Sequence, residues 1–161
     1  MLNKQELFTQ SMKAAERSAF VDQGFEPVLD RLLTALNTEA SLNEVGAGFH
    51  SARLQDLLTN RLRMEAWFEK HPEILEETIE RPIVVVGLPR TGTTMLHRTI
   101  ATDSSLLAPI WYEVRQPVPL ANDFELGDER IGISEAEVAA MLEAAPELAA
   151  IHPMDARAPD E

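Results

Sequence analysis

Residues 82–97 read Pro82-Ile83-Val84-Val85-Val86-Gly87-Leu88-Pro89-Arg90-Thr91-Gly92-Thr93-Thr94-Met95-Leu96-His97, and this stretch decides how the chain is read. Ile83 to Val86 is an unbroken β-branched run, the pattern of a strand buried on both faces of a parallel sheet. Gly87 to Thr94 is a Gly- and Thr-rich turn, and an apolar helical stretch follows from Met95 to about Ala101. Strand, turn and helix start together make an anion cradle. The first N–H groups of a helix lack intrahelical acceptors, and the helix dipole adds partial positive charge there. A phosphate or sulfate collects several of those donors at once. Gly87 and Gly92 let the backbone turn tightly and approach an anion. Thr91, Thr93 and Thr94 add hydroxyls, and Arg90 adds a planar cationic fork suited to oxyanions.

The spacing from Gly87 to Thr94 is G-x4-G-T-T, whereas a Walker A loop requires G-x4-G-K-[ST]. Thr94 fits the last position, but Thr93 stands where the lysine belongs, and the cation has moved to Arg90. Ordinary ATP or GTP hydrolysis, in which that lysine reaches the terminal phosphates, is therefore disfavoured. What remains is a phosphate cradle without the usual lysine and metal apparatus.

Upstream, the chain reads as helical. Leu7, Met12, Ala15 and Ala19 suggest a helix over 3–22, broken at Gly24. Val28, Leu29, Leu32, Leu33 and Leu36 suggest a second over 26–37. Residues 40–50, with Asn43, Gly46 and Gly48, read as a connection. Leu54, Leu57, Leu58, Leu62 and Trp67 give the longest helix, over 51–70, which Pro72 ends. One further turn is expected within 73–80. Downstream, 106–114 is expected to hold a short second strand, 115–133 a loop, and 135–145 a helix capped by Ser134 with Glu137. Residues 155–161 read as a frayed tail. The expected domains are a helical segment, 1–80, and the start of an α/β domain, 81–161.

The 161 residues carry a net charge of −13, unevenly spread. Residues 81–120 hold Arg81, Arg90, Arg98 and Arg115 against only Asp103 and Glu113, so this acidic chain is net basic there alone. Its surface repels nucleic acid and anionic membranes, and only this region favours an anionic ligand. There is no Cys, which excludes disulfides, Cys-ligated zinc and a Cys nucleophile. No apolar run is long enough to span a bilayer, and the charged N-terminus does not read as a secretory signal, so a cytoplasmic location is the expectation. His50, His71, His97 and His152 show no metal-ligand spacing, and no metal is expected. His97, on the helix after the loop, is expected to be packed or half-exposed rather than catalytic. Trp111 and Tyr112 either stack on a ligand ring or pack in the core, the second being the expectation.

The eight positions Gly87–Thr94 resemble the 5′-phosphosulfate-binding loop of the sulfotransferase superfamily, G-x-P-[RK]-[ST]-G-[ST]-[ST]. Residues 97–119 and, more weakly, Pro146 and Ile151-His152-Pro153 also look like bacterial sulfotransferase-family proteins. The resemblance implies an α/β, P-loop-like sulfotransferase fold preceded by a helical segment. It implies 3′-phosphoadenylyl sulfate as donor, a hydroxyl compound as acceptor, and chemistry without a metal. It assigns Arg90 to the phosphosulfate and its bridging oxygen. Thr91, Gly92, Thr93 and Thr94 would bind the 5′-phosphate. Superfamily branches use a Glu or a His as base. Glu113, 26 residues beyond Gly87 and followed by Arg115, is the expected base, and His152 is a candidate for an acceptor site.

Residues 95–161 show no counterpart of the family's 3′-phosphate segment, and one strand cannot satisfy its own backbone groups. The expectation is an N-terminal part of a longer sulfotransferase, inactive alone. Two alternatives stand beside it: an atypical P-loop phosphate-binding protein that takes ATP or GTP with Mg²⁺, and a non-catalytic helical interaction module.

Overall fold

The computed structural model of the chain describes residues 1–120 and 127–159. They form two compact units, Met1–Glu77 and Thr78–Glu161. The parts of the expected 115–133 loop and C-terminal tail that fall on residues 121–126 and 160–161 lie outside the described residues.

The first unit contains α1 (Lys4–Ala14), α2 (Glu26–Thr38) and α3 (Glu44–Lys70), followed by a 3-10 turn at Pro72–Glu76. Asn3 caps α1 by accepting a hydrogen bond from the Glu6 N–H at 3.0 Å. The helix ends well short of the expected residue 22, because Glu16 takes a left-handed φ of 54° and the Arg17 N–H turns back to the Met12 carbonyl. α3 begins earlier than expected. The Asn43 side chain accepts from the Gly46 N–H at 2.8 Å and starts the helix through both Gly46 and Gly48. A good cap and the long packed face that follows outweigh the poor helix propensity of two glycines, about 1 kcal/mol each.

Leu7, Leu29, Leu33, Leu54, Leu58 and Leu62 meet in the core with Leu2 and Phe20. Leu62 is fully buried, and burial of such a side chain contributes about 1.5–3 kcal/mol. The buried Ser11 hydroxyl donates to the Gln55 carbonyl at 3.0 Å and ties α1 to α3. The leucine stripes are packing faces, with Val28, Leu32 and Leu57 left on the exposed side.

The second unit contains α4 (Thr93–Ile100), α5 (Trp111–Arg115), α6 (Glu129–Ala144) and α7 (Leu148–Ile151). Among the described residues there is no strand, which corrects the expectation of a buried strand at Ile83–Val86. That segment has no regular secondary structure, and Ile83, Val84 and Val86 are exposed. The reason is pairing. A β-branched run becomes a strand only against neighbours that take up its N–H and C=O groups, and the described residues supply none.

The expected second strand, within 106–114, is reduced to one antiparallel bridge between Ile110 and Pro159; residues 106–109 have no regular structure and 111–114 lie in α5. α6 starts at Glu129, not after Ser134. Asp128 is its cap, accepting from the Arg130 N–H at 3.0 Å, while Ser134 is buried in mid-helix. The expected Ser134–Glu137 box is thus replaced by an aspartate cap six residues earlier.

Arg130 is itself buried, gripping the Asp128 carboxylate at 2.6–3.0 Å and donating to the Gln116 carbonyl at 3.0 Å. The guanidinium holds the Asp128 carboxyl below its usual range. A depressed carboxylate stabilises the fold above its ordinary pKa, and that contribution is lost as pH falls through the folded value. Asp128→Asn should therefore melt lower than the parent at neutral pH, and the gap should close on acidification towards about pH 3. Thermal unfolding across that range measures it.

Candidate active site

The loop 87–92 connects the Ile83–Val86 segment to α4, and it is tightly packed at Gly87. A Cβ built on Gly87 would stand 2.7 Å from Thr93 Cγ2 and 2.8 Å from Thr91 Oγ1, so a larger residue displaces these threonine side chains. Thr91 Oγ1 donates to the Leu88 carbonyl at 2.6 Å and closes the turn. Arg90 has φ 67° and Gly92 φ 88°, both left-handed. Gly92 is the N-cap of α4 and offers no side chain to its first-turn N–H groups.

The loop and α4 open onto a cleft of about 1190 Å³. Gly87, Arg90, Gly92, Thr93 and Thr94 line it, together with Leu88 and Pro89. α4 adds Met95, Arg98 and Thr99, the turn after it adds Thr102, and Ile151, His152 and Pro153 complete it. None of these lining residues is acidic. Arg90 is exposed in the cleft and donates through its guanidinium to the Ile151 carbonyl. The Arg90 guanidinium and an uncapped helix N-terminus make this a place for a polyanion.

Of the site residues expected from sequence, Arg90, Gly92, Thr93 and Thr94 are brought together. Thr91 is not among the lining residues, its hydroxyl being spent on the loop itself. Glu113 is not in the cleft lining either. It caps α5, accepting from the Ile110 N–H at 3.3 Å, and takes a 3.4 Å hydrogen bond from the Tyr112 hydroxyl. Arg115 is paired with Glu137, with hydrogen bonds of 2.9 Å. Trp111 and Tyr112 are half-buried outside the cleft lining, with the Arg130 guanidinium 5.3 Å over the Tyr112 ring. Burial and the nearby Glu113 and Asp128 carboxylates hold the Tyr112 phenol above its usual pKa.

His97 is half-buried and is not a lining residue, whereas His152 is. Arg98 was not singled out from sequence. The available signal was spacing, because Thr94 and Arg98 stand four residues apart and share one face of α4. Among the described residues, no group of three or more His, Asp or Glu is arranged to hold a metal ion. No helix among them is long and apolar enough to cross a membrane.

The sequence model of the sulfotransferase family matches residues 82–161, which contain every residue lining the cleft. The chain belongs to the sulfotransferase family. The crystal structure of sulfotransferase STF1 from Mycobacterium tuberculosis H37Rv (type 1 form) matches this sulfotransferase-family chain with a TM-score of 0.82 at 26% sequence identity. The match covers 99% of this chain and 44% of that one, so the chain spans less than half the length of its solved relative. Its fold is thus that of part of a sulfotransferase, although the described residues form no sheet. No curated protein matches this sulfotransferase-family sequence.

Proposed function

We propose that the chain carries the donor-gripping part of a sulfotransferase that uses 3′-phosphoadenylyl sulfate. The observation that carries this reading is the convergence of the uncapped α4 N-terminus, Arg90 and threonine hydroxyls on one cleft with no acidic lining residue. In this reading the N–H groups of Thr93 and Thr94 and their hydroxyls hold the 5′-phosphate. Arg90 leaves the Ile151 carbonyl and binds the bridging oxygen. The acceptor hydroxyl oxygen attacks sulfur, the bond from sulfur to the bridging oxygen breaks, and adenosine 3′,5′-bisphosphate leaves. Arg90 neutralises the charge that grows on the bridging oxygen. The hydroxyl proton passes to a base.

The segment 83–88 then serves as a strand of a P-loop-like α/β sheet completed by further polypeptide, and these 161 residues alone do not turn over. Measurable transfer of labelled sulfate by the purified chain would contradict that. For the donor itself, calorimetry should give binding of adenosine 3′,5′-bisphosphate without metal and weaker binding of ATP with Mg²⁺. The opposite preference would favour the P-loop NTPase-like alternative.

His152 is placed better than Glu113 to take the proton, because it lines the cleft and imidazole is the side chain most often used as a general base. In a longer, active form of the protein, His152→Gln should lower kcat by about 10²–10⁴. Glu113→Gln should leave kcat within about threefold, since this glutamate caps α5. The reverse pattern would return the role to Glu113.

A further inference from the structure

His152 stands on a segment with little regular structure of its own, since α7 ends at Ile151 and the chain runs on through turns to Pro159. The Arg157–Glu135 pair at 2.8 Å and the buried Ala156 hold its far half to the unit, and a series of hydrogen bonds to its carbonyl groups ties it to α4 and α5. Arg90 donates to the Ile151 carbonyl. Arg98 donates through NH2 to the Pro153 carbonyl at 2.8 Å and through Nε to the Pro159 carbonyl at 3.2 Å. The Tyr112 and Trp111 N–H groups, at the start of α5, donate to the carbonyls of Ala156 at 3.2 Å and Ala158 at 3.1 Å. One side chain, Arg98, therefore holds two of these five carbonyls, one beside His152 and one at the far end of the segment. It does so from the helix whose N-terminus forms the cradle.

We propose that Arg98 is a positioning residue, which braces the 151–159 segment to α4 so that His152 stays on the wall of the cleft. The role rests on the sulfotransferase reading for its purpose and on the hydrogen bonds for its mechanism. A guanidinium suits it because its planar fork reaches two carbonyls from one stem, which an ammonium on a flexible chain does less well. The brace matters most when donor is bound. Arg90 is then drawn from the Ile151 carbonyl to the anion, and Arg98 is left as the tie between α4 and the residues flanking His152. Donor binding and placement of the base become separable tasks of two arginines eight residues apart.

The test compares Arg98→Ala, Arg98→Lys and the parent as 161-residue chains. The first readout is amide hydrogen exchange at Trp111 and Tyr112, whose N–H groups are covered only while the segment is seated. Arg98→Ala should speed exchange there about tenfold or more, as expected for loss of charge-assisted hydrogen bonds, with α1–α3 unchanged. Arg98→Lys should fall between Ala and the parent. The second readout is the His152 ring resonance during titration with adenosine 3′,5′-bisphosphate. It should move in the parent, and in Arg98→Ala the ligand should still bind while the His152 signal no longer responds.

Parental exchange rates at Trp111 and Tyr112, or an undiminished His152 response, in Arg98→Ala would overturn the proposal. If Arg98→Ala loses the fold of the whole unit, Arg98→Lys decides: parental exchange at both amides overturns the brace, and intermediate exchange supports it. If the bisphosphate fails to bind the parent, the donor reading fails, and the exchange comparison alone still decides the brace.

Discussion

Replacing Arg90 by Ala should weaken binding of 3′-phosphoadenylyl sulfate by about 10- to 100-fold, or about 1.5–3 kcal/mol, the range for a hydrogen bond to a charged partner. The loss should be smaller for adenosine 3′,5′-bisphosphate, which keeps the former bridging oxygen on its 5′-phosphate but lacks the sulfuryl group. That difference separates a role in gripping the reacting group from general attraction of anions. Arg90→Lys should recover part of the loss, since it restores the charge without the fork. Competition calorimetry with the two nucleotides measures all of these. If Arg90→Ala left both affinities unchanged, the cleft would not be a donor site, and the chain would read better as an interaction module.

The second large effect is expected at Gly87. Thr93 Cγ2 and Thr91 Oγ1 already stand where a Cβ would go, and both atoms belong to the cradle. Gly87→Val should displace the Thr91 and Thr93 side chains from the cradle, with overpacking of about 1–3 kcal/mol expressed as lost bisphosphate affinity, lost stability of the second unit, or both. Gly48→Ala is the matched control. Nothing lies within 4 Å of its added Cβ, and it sits inside α3, where alanine should stabilise by about 0.5–1 kcal/mol. Equal behaviour of the two variants in thermal unfolding and ligand titration would remove the steric argument for Gly87.

The cradle was legible in sequence because its parts are local. Gly87, Arg90, Gly92 and the threonines lie within eight residues, and their chemistry depends on the turn they share. The helical cores of α2 and α3 were legible for the same reason, leucines at helical spacing being enough to mark Leu29, Leu33, Leu54, Leu58 and Leu62. Helix ends were harder. Asn43 and Asp128 are caps that act before the apolar pattern begins, and Glu16 breaks α1 where that pattern still runs on.

The strand at Ile83–Val86 was read from side chains, yet a strand is made by its neighbours, and those were never encoded in the run itself. The wall of the cleft was the least visible feature. Ile151 and Pro153 meet Arg90 and Arg98 across more than fifty residues of chain, and no periodicity connects them.

The exposed segment from Ile83 to Leu88 has a practical consequence. Apolar side chains on both faces, beside backbone groups left without a ladder, are the pattern that templates cross-β stacking between molecules. Concentrated solutions of the chain should therefore cloud on standing, and a lysine gatekeeper at Val84 should keep them clear.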